Sequence, residues 1–125
     1  MSLARQPEGA AALARIAFDP MAIERNAPLV AGLLKALGND RRLRILCELA
    51  KRGEVSVTSL SLAADLSQSA LSQHLGKLRE AGLVSFRRES QTLWYFIADP
   101  RIEQLMGHLY ELFCRPSRNK TRVNP

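Results

Sequence analysis

The chain has 125 residues, 46% of them hydrophobic and 24% charged, which is one domain with enough apolar content for a modest core. No apolar run approaches the roughly 18 residues of a membrane span and no signal-peptide core opens the chain, so a soluble cytoplasmic protein without membrane contact is expected. The net charge of +6 favours an anionic partner, yet Arg115, Arg118, Lys120 and Arg122 place four of those charges in an acid-free tail, so the global balance adds little.

Residues 1–20 are read as an N-terminal extension of low order, broken at Gln6-Pro7-Glu8-Gly9. Asp19-Pro20 then introduces a helix predicted over Met21–Leu37. Ile23, Ala27, Val30, Leu34 and Leu37 repeat at four-three spacing, a coiled-coil-like seam. Pro28 predicts a kink there or a start near Asn26. A second apolar line through Leu29 and Leu33 gives more apolar surface than a small monomer covers, which favours a homodimer; packing within one subunit is the plainer alternative.

A second helix is predicted from Asp40 to about Ala50, capped by Asn39 or Asp40, with Leu43, Leu46, Cys47 and Ala50 as its inner face. Arg41, Arg42 and Arg44 make its first turn basic, against the helix dipole, which suggests an outside anion such as a phosphate unless the arginines are simply solvated. Gly53 ends it, and Val57–Ala64 is a short third helix.

The fourth helix starts at an N-cap, Ser67, and ends at Gly82. Leu71, Leu75 and Leu78 share one side. The opposite side carries Ser69, Ser72, Gln73 and Gly76, an uncharged, short-chained face whose Ser and Gln groups both donate and accept hydrogen bonds and so suit base edges, with Gln68 in the first turn as a further candidate DNA contact. Gly76 leaves nothing projecting there, and Lys77 and Arg79 flank it for phosphates. Two β-rich runs follow, Val84–Arg88 and Gln91–Ile97, broken at Glu89-Ser90. Arg87 and Arg88 near the break, with Gln91 across it, are candidate DNA contacts. Trp94, Tyr95 and Phe96 are consecutive and must alternate faces, so they pack the ribbon rather than form a stacking platform. Asp99-Pro100 starts a last amphipathic helix, through Ile102, Leu105, Met106, Leu109, Leu112 and Phe113, to about Cys114. Residues 115–125 read as a basic, disordered tail that adds non-specific DNA affinity.

The order is mainly α with a small β-hairpin, a helix-turn-helix followed by a wing (ααααββα), with residues 21–114 as the DNA-binding and dimerisation domain. LLKALGNDRRLRILCEL, LSQSALSQHLGKLREAGLV and RRESQTLWYFIADP resemble the bacterial ArsR-type winged-helix repressors, over about Leu29 to Cys114. Within that family the chain is most similar to the dithiol persulfide- and redox-sensing subgroup. The resemblance implies a homodimer joined through the first and last helices, and a double-stranded operator as partner.

It also bears on the two cysteines. In a cytosolic chain they are normally reduced thiols, and a cysteine on an apolar helix face is most often a small hydrophobe. Arg44 and Lys51, three before and four after Cys47, would favour its thiolate. The resemblance implies that Cys47 and Cys114 meet and that a persulfide, a reactive sulfur species, bridges them and releases DNA. Metal sensing is not expected: the family's last-helix zinc pattern meets Arg101, Leu112 and Arg115 here, and its third-helix thiolates are missing from Val57–Ala64. His74 and His108 are unpaired in sequence, and no cofactor motif, catalytic triad or paired carboxylate points to an enzyme. A regulator without thiol sensing, and a winged-helix protein-interaction module without DNA contact, are the alternatives.

Overall fold

The computed structural model describes residues 16–116, so the sequence expectations for most of the N-terminal extension and of the basic tail lie outside the described residues. Five helices and three strands follow in the order α1 (Pro20–Leu37), α2 (Asp40–Arg52), β1 (Val55–Ser56), α3 (Val57–Ala64), α4 (Gln68–Glu80), β2 (Val84–Glu89), β3 (Thr92–Ile97) and α5 (Pro100–Phe113). The chain divides into two compact units at Gly32.

Up to Gly32 the described residues are the start and most of α1. Asp19 caps it, its carboxylate accepting from the Met21 amide at 3.0 Å. The helix runs through Pro28 rather than starting after it. The carbonyl deprived of a donor belongs to Glu24, which is exposed, so water can replace the missing bond. Ile23, Leu29 and Val30 are exposed along it.

From Leu33 onward the helices pack around one core. Leu71, Leu75 and Leu78 of α4 are buried, as their spacing predicted, with Leu60 and Ala64 of α3, Tyr95 of β3 and Ile102 and Met106 of α5. The inner face of α2 differs from the expectation. Ile45, Leu46 and Leu49 are buried, whereas Cys47 and Ala50 are exposed. Two adjacent apolar stripes run along this helix, and the core takes the one with the larger aliphatic side chains.

Local signals account for the element ends. Asn39 caps α2, accepting from the amides of Arg41 and Arg42. Ser67 caps α4 through the Ala70 amide at 3.1 Å. At the far end of α4, Gly82 has φ +77°, and the Leu83 and Gly82 amides donate to Leu78 and Arg79 carbonyls, a Schellman closure. Asp99 caps α5 with Pro100 in its first turn.

The wing has three strands instead of two, in the order β1-β3-β2, all antiparallel. β2 and β3 pair from Val84↔Ile97 to Glu89↔Thr92, which places the two-residue turn at Ser90-Gln91, with Ser90 at φ +57°. β1 adds two residues on the other side of β3. Its last residue, Ser56, pairs with Trp94 and also caps α3, its hydroxyl accepting from the Ser59 amide.

Candidate nucleic-acid interface and dithiol groove

The outer side of α4 is a polar strip built on a buried leucine row. Gln68, Ser69, Ser72, Gln73 and Lys77 are all exposed. Among the described residues none of these five side chains has a hydrogen-bond or ion-pair partner, so their donors and acceptors are free for an outside surface. A Cβ built on Gly76, in the middle of the strip, would meet nothing within 4 Å. Packing inside the chain therefore does not require a glycine there.

Two contacts fix how α4 is presented. The helix is preceded by a tight turn in which Asp65 adopts the left-handed conformation (φ +55°), and the Leu66 amide returns to the Ser61 carbonyl. Arg42 of α2 supplies the second. Its Nε donates to the Ala36 carbonyl at 2.6 Å, and its Nη1 lies 3.4 Å from Nδ1 of His74 on α4. Arg41 donates to the Asp65 carbonyl at 3.3 Å. The basic first turn of α2 thus serves carbonyl ends of neighbouring segments, and for Arg41 and Arg42 the expectation of an outside anion is replaced by these internal acceptors. Burial, then Arg42 and Arg41, push the His74 imidazole below its ordinary value, with Asp40 opposing.

The wing arginines have different surroundings. Arg87 grips Glu54 with two nitrogens, Nε at 3.0 Å and Nη2 at 2.8 Å, and its Nη1 reaches Glu89 at 3.1 Å. These hydrogen bonds hold Glu54 below the usual carboxylate range and raise Arg87. The guanidinium also lies over the half-buried Trp94 ring. A phosphate at Arg87 would have to compete with two carboxylates. Arg88, its neighbour, is exposed and carries no ion pair among the described residues, and Gln91 is exposed in the turn. Arg79, expected beside Lys77 as a phosphate contact, stacks over Phe86 and links α4 to the wing.

Both cysteines are free thiols with exposed side chains. Cys47 opens into a groove of about 600 Å³ between α2 and α5, lined also by Ala50, Lys51, Met106, Gly107 and Tyr110, with Glu103 and Glu111 on its α5 wall. Glu103, Gly107, Tyr110 and Cys114 are spaced four, three and four along α5, one helical stripe, and the Cys114 amide still bonds the Tyr110 carbonyl in helical register. Cys114 thus lies on the same α5 stripe, one turn past Tyr110, although it is not itself part of the groove lining. The two thiols are near enough to interact electrostatically: burial, then Cys114, then Glu48 raise the Cys47 thiol above its ordinary value, and Lys51 alone offsets them. This reverses the sequence expectation. The carboxylate neighbour and second thiol outweigh the lysine, and Arg44 contributes nothing resolved.

Three residues of these sites drew no attention in sequence, Glu54, Gly107 and Tyr110, and Arg42 was read toward an outside anion. The stripe along α5 was readable as a four-three-four repeat ending on Cys114. Arg42 and Glu54 were not readable, since their partners are distant or are backbone atoms. Among the described residues no group of three His, Cys, Asp or Glu side chains is placed to hold a metal ion. No described helix is long and apolar enough to cross a membrane.

Residues 39–85 match the description "Bacterial regulatory protein, arsR family". The transcriptional activator HlyU of Vibrio cholerae serotype O1 is 44% identical over 96 residues, which is 77% of this chain and 88% of that protein. The crystal structure of the transcriptional repressor BigR from Xylella fastidiosa superimposes with a TM-score of 0.72 at 38% identity, covering 78% of this chain and 98% of that one. A homodimeric winged helix-turn-helix DNA-binding domain from Mycobacterium bovis, a possible ArsR-family regulator solved in solution, gives a TM-score of 0.64 at 31% identity. That match covers 90% of this chain and 89% of the other.

Proposed function

Because the chain belongs to the arsR family of bacterial regulatory proteins, whose members bind DNA to control transcription and are not enzymes, we propose that it is a cytoplasmic homodimeric repressor switched by sulfur. It reads double-stranded operator DNA with α4 and the wing, and it lets go when a persulfide bridges Cys47 to Cys114. The observation that supports this reading is the α4 strip whose exposed polar groups have no partner among the described residues, together with two exposed free thiols, Cys47 on the α2 side of the α2–α5 groove and Cys114 at the end of α5.

Base contacts fall to Gln68, Ser69, Ser72 and Gln73, with Gln73 suited to adenine. Lys77 and Arg88 serve phosphates, Gln91 lies at the wing turn, and Arg87 holds the wing in shape through Glu54. The dimer rests on apolar surface that each unit leaves uncovered. In α1 this is Ile23, Leu29 and Val30, and at the end of α5 it is Leu112 and Phe113, 74% and 79% exposed. The solution homodimer among the similar structures supports the same assembly. Two α4 strips in such a dimer must meet half-sites roughly 34–36 Å apart.

The chemistry balances in two displacements. A Cys114 thiolate attacks the outer sulfur of a persulfide RSSH, giving Cys114–S–SH and RSH after proton uptake. The Cys47 thiolate then attacks the Cys114 sulfur, forming the Cys47–Cys114 disulfide and expelling hydrosulfide. The dithiol is oxidised by two electrons and one sulfane sulfur leaves as H₂S; further sulfane sulfurs would lengthen the bridge. Tying α5 to α2 biases how subunits dock, and a hundredfold loss of DNA affinity needs about 2.7 kcal/mol of such bias.

Gel shifts on the gene's own promoter, with and without persulfide, test this. The reduced protein is expected to bind and the treated protein to release, with a bridged mass in the spectrometer. Cys47→Ser and Cys114→Ser are expected to bind DNA but ignore persulfide. Release of either variant by persulfide would refute the switch, and no binding of the reduced protein to any duplex would favour a protein-interaction module.

A further inference from the structure

Arg87 is fastened across the three strands of the wing. The register places Ser56 of β1, Trp94 of β3 and Arg87 of β2 directly opposite one another, so the three side chains share one face. From the β2 edge the guanidinium passes over the Trp94 ring, 5.8 Å from its centroid, and meets Glu54 just ahead of β1 at the other edge. Both Glu54 oxygens take part, accepting from Nε at 3.0 Å and Nη2 at 2.8 Å. Glu89 accepts from the remaining nitrogen, Nη1, at 3.1 Å. All three guanidinium nitrogens are committed, and two carboxylates face one cation. Arg88 alternates to the other face and has no ion pair among the described residues. Exposed ion pairs contribute little to folding, so stability does not account for this arrangement.

We propose that Glu54 is a specificity-determining residue: by strapping Arg87 over Trp94 it withholds a cation from DNA phosphates and keeps the wing at the angle that a correctly seated α4 requires. The proposal rests on the DNA-reading role above and not on the cysteines. Affinity for random duplex comes almost wholly from cation–phosphate contacts, so an arginine already neutralised adds little to it. Base contacts made by α4 are untouched by that loss. An operator also needs wing and helix in one fixed relation, which the strap preserves. Random DNA accepts any relation that brings opposite charges together. Releasing Arg87 therefore favours the wrong sequences over the right one.

Fluorescence anisotropy titrations of the reduced, full-length protein test this, against the gene's own promoter and a scrambled duplex of the same length and composition, at several salt concentrations. Glu54→Gln removes the carboxylate's charge at nearly constant shape. On the scrambled duplex it is expected to bind about three- to tenfold tighter, with a salt slope steeper by about 0.9 for each wing. On the promoter it is expected to stay within about twofold of the parent, so discrimination falls by roughly the gain on scrambled DNA.

Arg87→Ala supplies the background that isolates the mechanism. In it, Glu54→Gln is expected to change scrambled-duplex affinity by less than about 1.5-fold, because the cation it would release is gone. A carboxylate acting only through its own repulsion of phosphate would keep its full effect there. Unchanged or weaker binding of Glu54→Gln to scrambled duplex, equal tightening on both duplexes, or an effect that survives Arg87→Ala overturns the proposal. A parent that does not tell the two duplexes apart overturns it together with the operator reading. A discriminating parent with an indifferent Glu54→Gln variant overturns it alone.

Discussion

Replacing Gly76 by alanine separates the stability of the reading helix from its fit to DNA. Gly76 lies on the polar side of α4, between buried Leu75 and Leu78, and an added Cβ has no atom within 4 Å to meet. The folded chain therefore gains helix propensity without strain, about 0.8–1.0 kcal/mol. For a domain of this size that corresponds to a rise in melting temperature of about 4–8 °C per kcal/mol. If the strip seats in a major groove with Gly76 toward the duplex, the same methyl group holds the backbone away from the base edges. The loss should match about one good base contact, roughly 1–3 kcal/mol, or about a five- to 150-fold weaker operator complex. Thermal melts of the free protein and fluorescence anisotropy titrations at fixed salt measure both quantities. A more stable variant that binds operator as tightly as the parent would refute the orientation assigned to α4. A less stable one would refute the open space around Gly76.

Further tests address the polar strip, the wing and the α2–α4 contact. Gln73→Ala is expected to cost about 1–3 kcal/mol on operator and almost nothing on random duplex, read from parallel titrations. Arg88→Ala should weaken operator and random DNA alike and reduce the salt slope by about 1. Arg87→Ala should change that slope less, because the removed charge is already neutralised by Glu54; a larger slope change than for Arg88→Ala would reverse the two roles. His74 adds a pH test. Its folded-state value lies below the unfolded one of about 6.5, so below that pH the unfolded chain binds the extra proton first. The stability from the neutral ring beside Arg42 is whole above pH 6.5 and declines as pH falls toward the folded value. Urea midpoints at pH 7.5 and 5.5 should show that decline in the parent and lose part of it in His74→Gln.

Much of the fold was legible because its signals are local. Ser67, Gly82 and Asp99-Pro100 each act on groups within a few residues, and the leucines of α4 share a face by helical period alone. The third strand was invisible because Val55–Ser56 is too short to show alternation and exists only through pairing with Trp94 and Tyr95. The face of α2 was misread by one stripe, since Leu43–Leu46–Cys47–Ala50 and Ile45–Leu46–Leu49 are both apolar and only the packed neighbours choose between them. Charge was read least well. Arg44 and Lys51 are near Cys47 in sequence, but burial first, then the distant Cys114 and adjacent Glu48, raise its thiol. Glu54 and Arg87, thirty-three positions apart, gave no sign of meeting.

The double duty of Ser56 has a consequence for operator choice. The same residue finishes a rung of the wing and begins α3, so no spare link lies between them. A tilt of the wing must drag the scaffold helix, and through the Asp65 turn the probe helix follows. Within the unit from Leu33 onward, the wing and α4 would thus meet DNA as a single die. If two copies bind as proposed, targets with more widely spaced half-sites could be matched only by sliding one die relative to the other, and the seam between copies would become the ruler.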